Sequence, residues 1–249
     1  MYTLRARFKK DIVAEFLPPA RKSSRVIIIC GGMPCVPSKK ELLSFWAKKG
    51  FWVFYPRFRG TWESGGEFLK KSPHEDILDI INELPKGFID LWGKAHYQVK
   101  PSKLYLIGSS FGGPAALLAS RDKRVTKTVV VSSITDTPAM KHSKAEPLGW
   151  LYTIVQGAFG EAYRCPKKNW NKLSKGFFYN PTKHIHELDG SKIIFIHAQD
   201  DQSVACKPVQ QFAKKINAAI ILLKKGGHLS ASITAQPRFY KAIQKFFRA

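Results

Sequence analysis

Leu104-Tyr-Leu-Ile-Gly108-Ser109-Ser110-Phe111-Gly112-Gly113 runs directly into Pro114-Ala-Ala-Leu-Leu-Ala119. An apolar segment of strand character ends in G-x-S-x-G, and a helix of small residues starts at once. That is the sequence form of a nucleophile elbow. A turn this tight needs glycine on either side of Ser110, where a Cβ would collide with neighbouring backbone. It holds a serine hydroxyl above the end of a strand, with the positive end of the next helix directed at the same point. Ser110 is therefore the candidate nucleophile. The bland alternative is a Gly/Ser-rich strand-to-helix turn with no chemistry.

Around this element the chain reads as one α/β domain spanning residues 1–249, with a mostly parallel central sheet flanked by helices. Arg25-Val-Ile-Ile-Ile-Cys30 and Lys127-Thr-Val-Val-Val131 are continuous β-branched runs, expected for strands covered on both faces. Phe51–Tyr55, Ser191–Ile196 and Ala219–Leu223 complete the set, while two alternating segments at 2–8 and 12–17 suit edge strands. Ser38-Lys-Lys-Glu41 resembles a capping box opening a helix through Trp46-Ala47, and Ser72-Pro73-His-Glu75 places an N-cap before an N1 proline. Helical spacing at Ile77, Ile80, Ile81 and Leu84 continues past a break at Pro85-Lys-Gly87 towards Phe88, Leu91 and Trp92. Further helices are expected near Pro208–Ile216 and through Pro237–Phe247. Between 132 and 181 the rhythm fails. About fifty residues of mixed Pro, Gly, Lys and bulky side chains exceed a structureless loop in a compact domain, so the segment is expected to form a cap-like insertion over the sheet edge.

Composition bounds the function. At 44% hydrophobic and 24% charged, the 249-residue sequence is globular. It shows neither a membrane-length apolar run nor a signal-peptide core, which makes the cytoplasm the expected location. Cys30, Cys35, Cys165 and Cys206 form no C-x-x-C pair. A formal charge of +23 permits non-specific attraction to polyanions, yet no zinc-finger, RNA-recognition or helix-turn-helix pattern points to a specific nucleic-acid or membrane partner. No cofactor is expected. Gly31-Gly32-Met33-Pro34 lacks the G-x-G-x-x-G pattern, and Pro34 interrupts it. His184-Ile-His186-Glu187 invites a metal reading but has no third ligand at characteristic spacing.

A serine at its free pKa needs a base, and the base needs an orienting partner. The strand at 192–196 runs out into His197-Ala-Gln-Asp200-Asp201-Gln-Ser-Val204, and the strand at 219–223 into Lys224-Lys-Gly-Gly-His228. In a parallel sheet both loops leave the edge that carries Ser110, and the order Ser, acid, His is the one this architecture uses. His228 is the candidate base. Asp201 and Asp200 compete as the acid, Asp201 being the first choice and Asp200 a residue that caps a turn or holds the loop. His197 is read as shaping the acid loop. The backbone N–H groups of Phe111 and Met33 are the candidate oxyanion donors; Pro34 has no N–H to offer. The loop Pro56–Gly66, rich in Arg, Gly and aromatic residues, is either a wall of the site or a packed surface loop.

With these residues in hand, the chain resembles the alpha/beta-hydrolase superfamily, on the branch of small prolyl-oligopeptidase-like and dienelactone-hydrolase-like serine hydrolases. Gly31-Gly32-Met33-Pro34, Arg57-Phe-Arg-Gly60, Gly108-x-Ser110-x-Gly112-Gly113, His197-Ala-Gln-Asp-Asp201-Gln-Ser-Val204 and Gly227-His228 carry the likeness. The family pattern sets the acid three residues before the valine, which favours Asp201. The chain departs from it at Cys30 (often His or Tyr), Ala198 (usually Gly) and Ala205 (usually Pro). The resemblance implies metal-free attack on esters, thioesters, amides or short peptides. A carboxylesterase-like hydrolase of a small acyl substrate is the first expectation, with apolar residues such as Trp150, Leu151, Ile154 and Phe159 favouring an apolar group. A small aminopeptidase or oligopeptidase is the second, against which stand the lack of a β-propeller or acidic amine-binding motif. A non-catalytic binding protein with a basic surface is the third. Dienelactone hydrolysis proper is disfavoured, because that chemistry normally uses cysteine at the elbow.

Overall fold

The structure, a computed structural model, describes residues 2–143 and 146–249. Among the described residues ten strands come in chain order as β1 (Leu4–Phe8), β2 (Ile12–Leu17), β3 (Arg25–Cys30), β4 (Trp52–Pro56), β5 (Phe88–Ile89), β6 (His96–Tyr97), β7 (Lys103–Ser109), β8 (Val125–Val131), β9 (Ile193–Ala198) and β10 (Ala219–Leu223). The helices are α1 (Lys40–Lys48), α2 (Pro73–Glu83), α3 (Gly112–Ala119), α4 (Leu148–Phe159), α5 (Lys167–Trp170), α6 (Cys206–Lys215) and α7 (Pro237–Arg248), joined by short 3-10 turns. Eight strands form one sheet in the order β1-β2-β4-β3-β7-β8-β9-β10. From β4 onward every neighbour pair is parallel, and β1 and β2 add an antiparallel edge. This is the α/β-hydrolase architecture expected from the strand-and-helix rhythm.

The apolar strand runs follow from burial on both faces. Along β3, Val26, Ile28 and Cys30 enter one core while Ile27 and Ile29 enter the other, the alternation a pleated strand requires. Trp46 of α1 and Phe239 and Ile243 of α7 close the second core; residues of α2, α3 and α6 close the first. α3 is buried along its whole length, so its Ala and Gly content reflects the need for close packing on β7 and β8. Residue pairing brings Cys30 opposite Gly108 and Ser109 opposite Val131. The loops after β3, β7 and β8 therefore leave one edge of the sheet side by side. All four cysteines are free thiols.

Two local expectations need correction. α1 starts at Lys40 behind an N-cap at Lys39 that makes no side-chain cap bond, so Ser38-x-x-Glu41 is not a capping box. Arg57 takes the Pro37 carbonyl oxygen, which holds this stretch in the preceding loop. At Ser72 the expectation holds, because the Glu75 carboxylate accepts the Ser72 N–H at 3.2 Å. Beyond Gly87, at φ +100°, the helix does not resume; Phe88–Ile89 and His96–Tyr97 form a small antiparallel hairpin. Phe88 packs against Phe8, Phe16, Phe54 and Tyr97 at centroid distances of 5.2–5.8 Å. Burying that ring outweighs the local helical spacing, and Trp92 is left exposed at the tip.

Candidate active site

Ser110 adopts φ +51°, a region costing a non-glycine residue of order 1–3 kcal/mol. Close packing holds it there. The Ser110 N–H donates to the Val131 carbonyl oxygen at 3.0 Å, and its own carbonyl accepts the Gly113 N–H at 3.0 Å. Each glycine of the motif has a steric reason. A Cβ on Gly112 would run into the carbonyl oxygens of Cys30 and Gly31, one on Gly113 into the Ser133 side chain, and one on Gly108 to within 2.7 Å of Ala116 Cβ.

The loops after β9 and β10 bring an acid and a histidine together. His228 Nδ1 lies 3.0 Å from each carboxylate oxygen of Asp201. That assigns Nδ1 the proton it donates and leaves Nε2 as the basic nitrogen. Asp201 is buried, and its Oδ1 also accepts the N–H groups of Ser203 and Val204 at 3.1 and 3.0 Å. Burial pushes the Asp201 pKa up, but hydrogen bonds from His197, His228, the Val204 N–H and Ser132 outweigh it and hold the carboxyl well below the usual carboxylate range. His197 is fully buried. Its Nε2 lies 2.9 Å from the Val204 carbonyl oxygen and 3.4 Å from Asp201 Oδ2, where it shapes the acid loop.

Asp200 points the other way, and its two oxygens accept the N–H groups of Gly226 and Gly227 at 3.2 and 2.9 Å. The carboxylate thus ties down the backbone immediately before His228. Sequence spacing left the two aspartates in competition; their geometry gives one the imidazole and the other its loop. Ser132, at φ +42°, accepts the Leu229 N–H at 3.0 Å, a contact that no pattern in the chain signalled.

On the nucleophile side, Gly32 lies against Ser110: a Cβ placed on it would sit 3.3 Å from Ser110 Cβ and 3.8 Å from Oγ. Among the described residues the N–H groups of Met33 and Phe111 have no backbone acceptor outside the regular elements, which keeps both as candidate oxyanion donors. Phe111 is braced from the far end of the 132–181 segment. The Tyr179 hydroxyl donates to its carbonyl oxygen, and the two rings lie 4.9 Å apart.

Ser110, Met33 and His228 line one cavity of about 500 Å³, together with Lys39, Glu146, Trp150, Leu151 and Ile154. Ser110 and His228 share this cavity without a hydrogen bond between them; such catalytic hydrogen bonds commonly tighten only around bound substrate. Phe159, expected beside the substrate, instead packs on Tyr163 at 5.8 Å. The Pro56–Gly66 loop is an anchor rather than the main wall. Trp62 N–H donates to Ala162, Arg164 N–H to Gly60, and Phe68 N–H to Arg164, while buried Arg57 pairs with Glu15 and Glu63 at 3.3 and 2.6 Å. Tyr163, in turn, takes the Cys35 N–H on its hydroxyl at 3.1 Å, coupling the segment to the Met33 loop. His184 and Glu187, remote from the cavity, form an ion-pair cluster with Arg121.

Residues 37–249 match the prolyl oligopeptidase family. Among solved structures, Est1E from Butyrivibrio proteoclasticus superposes with a TM-score of 0.70 at 12% identity, covering 100% of this chain and 100% of that one. An esterase of Pyrococcus furiosus gives 0.69 at 16% identity, covering 99% and 90% of the two chains. The acylaminoacyl peptidase of Pyrococcus horikoshii gives 0.65 at 18% identity, covering 99% of this chain but 41% of that protein. The chain thus spans about two fifths of that peptidase's length. No curated protein sequence matches it significantly. At these identities the solved structures establish the shared fold.

Proposed function

The chain belongs to the prolyl oligopeptidase family, and from that premise we propose that it is a serine hydrolase cleaving carboxylic esters or related acyl compounds through an acyl-enzyme. Ser110 Oγ attacks the carbonyl carbon while His228 Nε2 takes its proton. Asp201, ionised and bonded to Nδ1, holds the ring and stabilises the imidazolium. The Met33 and Phe111 N–H groups receive the oxyanion, each donor being worth about 3 kcal/mol in such a transition state. His228 then protonates the leaving alcohol, and water activated by the same nitrogen releases the acid.

The observation that carries this reading is the buried Asp201 carboxylate locked on His228 Nδ1 at 3.0 Å, at the rim of the cavity that holds the strained Ser110. Trp150, Leu151 and Ile154 in the same cavity favour an apolar acyl or alcohol group. A fluorophosphonate probe should label Ser110, and p-nitrophenyl esters should be turned over. No labelling and no turnover would sink the proposal, and trace turnover unchanged by Ser110→Ala would leave a binding protein.

A second reading takes a short peptide or acylated amino acid as substrate. It is favoured by the family match and by Glu146, an acidic residue lining the cavity, whose carboxylate accepts the Ser203 hydroxyl at 2.6 Å. An aminoacyl p-nitroanilide cleaved faster than an ester of the same acyl group, with the preference lost in Glu146→Gln, would establish it.

A further inference from the structure

α4 is unlike every surface around it. In a chain where 41 of 249 residues are Lys or Arg, its twelve residues, Leu148-Gly-Trp-Leu-Tyr-Thr-Ile-Val-Gln-Gly-Ala-Phe159, include no charged side chain. The inner face is accounted for: Leu148, Leu151 and Val155 are buried, and Tyr152 packs on Trp170 at 5.3 Å. The outer face is not. Gly149, Trp150, Thr153, Ile154, Gly157 and Ala158 are all exposed, and nothing lies within 4 Å of a Cβ placed on Gly149 or Gly157. Trp150 and Ile154 belong at once to this face and to the cavity above Ser110, and Val36, 58% exposed, continues the apolar rim on the opposite loop.

Cations lie on the elements next to α4. Lys39 lines the cavity. Lys141 is exposed on the 3-10 turn Pro138–His142, which packs against α4. Lys167 and Lys168 are exposed on α5, the element that carries Trp170. Among the described residues none of the four has a carboxylate within ion-pair distance; the lysines so paired are Lys9 and Lys86. Among the described residues the acidic groups of the area are each held by a neighbour or set apart from the lysines: Glu146 is bonded to Ser203, Glu67 accepts an Asn169 N–H, Asp136 accepts an Asn180 N–H, and Glu161 lies just beyond the helix end. An apolar patch with unpaired cations on the elements beside it is the complement of an anionic lipid surface, where acyl chains meet the patch and headgroups meet the cations. α4 is too short to span a bilayer, so its geometry is that of a helix lying in the interface.

We propose that the outer face of α4 and its lysine rim dock the cavity mouth on an anionic lipid surface, from which an acyl substrate passes to Ser110. The passage rests on the hydrolase reading; the docking does not. A nucleic acid would need cations at the centre of its footprint, where this face has none. A second copy would bring two lysine rims together.

Flotation with vesicles of phosphatidylcholine, alone or mixed with phosphatidylglycerol, tests this directly. The wild type should float with the mixed vesicles and far less with phosphatidylcholine alone. Thr153→Glu/Ala158→Glu, which changes residues outside the cavity, should weaken binding about tenfold or more while retaining fluorophosphonate labelling. Lys241→Glu, an identical change in net charge on exposed α7, should leave it within about twofold. Equal losses in the two variants would show attraction by net charge alone and overturn the proposal. So would a dimer in gel filtration that the double variant disperses, or an RNA oligonucleotide bound through the same two positions. Ser110→Ala should float like the wild type. Vesicle binding without probe labelling in the wild type would uphold the docking and discard the hydrolase.

Discussion

The elbow and α4 face the same cavity and are built by opposite rules. In the elbow Gly108, Gly112 and Gly113 are there because a backbone or side-chain atom crowds the place of each Cβ. In α4 the glycines at 149 and 157 look onto open space. One region stores strain at Ser110 and holds it with strand pairing, a fully buried helix and the Tyr179 brace. The other is packed along a single face. Groups that stabilise developing charge have to be in place before the reaction starts, since reorganising them would cost part of the barrier reduction. A surface that admits apolar groups of varied shape needs no such exactness.

The sharpest test of the rigid half is chemical. Ser110→Ala or His228→Ala should lower ester kcat by 10⁴-fold or more with unfolding midpoints in urea close to the wild type, and Asp201→Asn should lower kcat by roughly 10⁴-fold with some loss of stability as well. An Asp201→Asn enzyme of near-normal rate would dissolve the distinction at its centre. Next comes Gly112→Ala, which drives a methyl into two carbonyls and should cost about 3 kcal/mol or more of unfolding free energy in urea. Tyr179→Phe, removing the brace on Phe111, should cost about 1 kcal/mol and lower kcat several-fold through the neighbouring N–H donor. Asp200→Ala frees the backbone before His228 and should reduce kcat by a few-fold, without the collapse expected at Asp201. Smallest is Gly157→Ala in α4, expected to stabilise by about 0.5–1 kcal/mol. If it destabilised the protein as Gly112→Ala does, the contrast between the two regions would be wrong.

What was legible in the chain follows the same divide. Elbow, acid loop and histidine loop could be read because each is local: a handful of adjacent residues whose spacing is imposed by one strand end. The central strands were legible for a similar reason, since burial on both faces leaves no polar position in a run such as Val26–Cys30. Long-range contacts were not. Nothing near Phe88 announces that its ring is needed by Phe8, Phe16 and Phe54 from distant strands, so helical spacing misled. Tyr163, Tyr179 and Ser132 reach the site from segments that carry no motif, and each makes a hydrogen bond to backbone there, which no side-chain pattern records. Asp200 and Asp201 are neighbours in sequence, and only their separate partners distinguish them.

Tyr163 and Tyr179 also limit how this molecule can be re-engineered. Exchanging the 132–181 segment for that of another hydrolase would be a natural route to new substrates. A graft cut at those ends would remove the hydroxyl that receives the Cys35 N–H and the hydroxyl that donates to Phe111, and with them part of the frame for both candidate oxyanion donors. The exchangeable unit is shorter than that segment: α4 and its immediate turns, with residues 163–165 and 179 retained as part of the host.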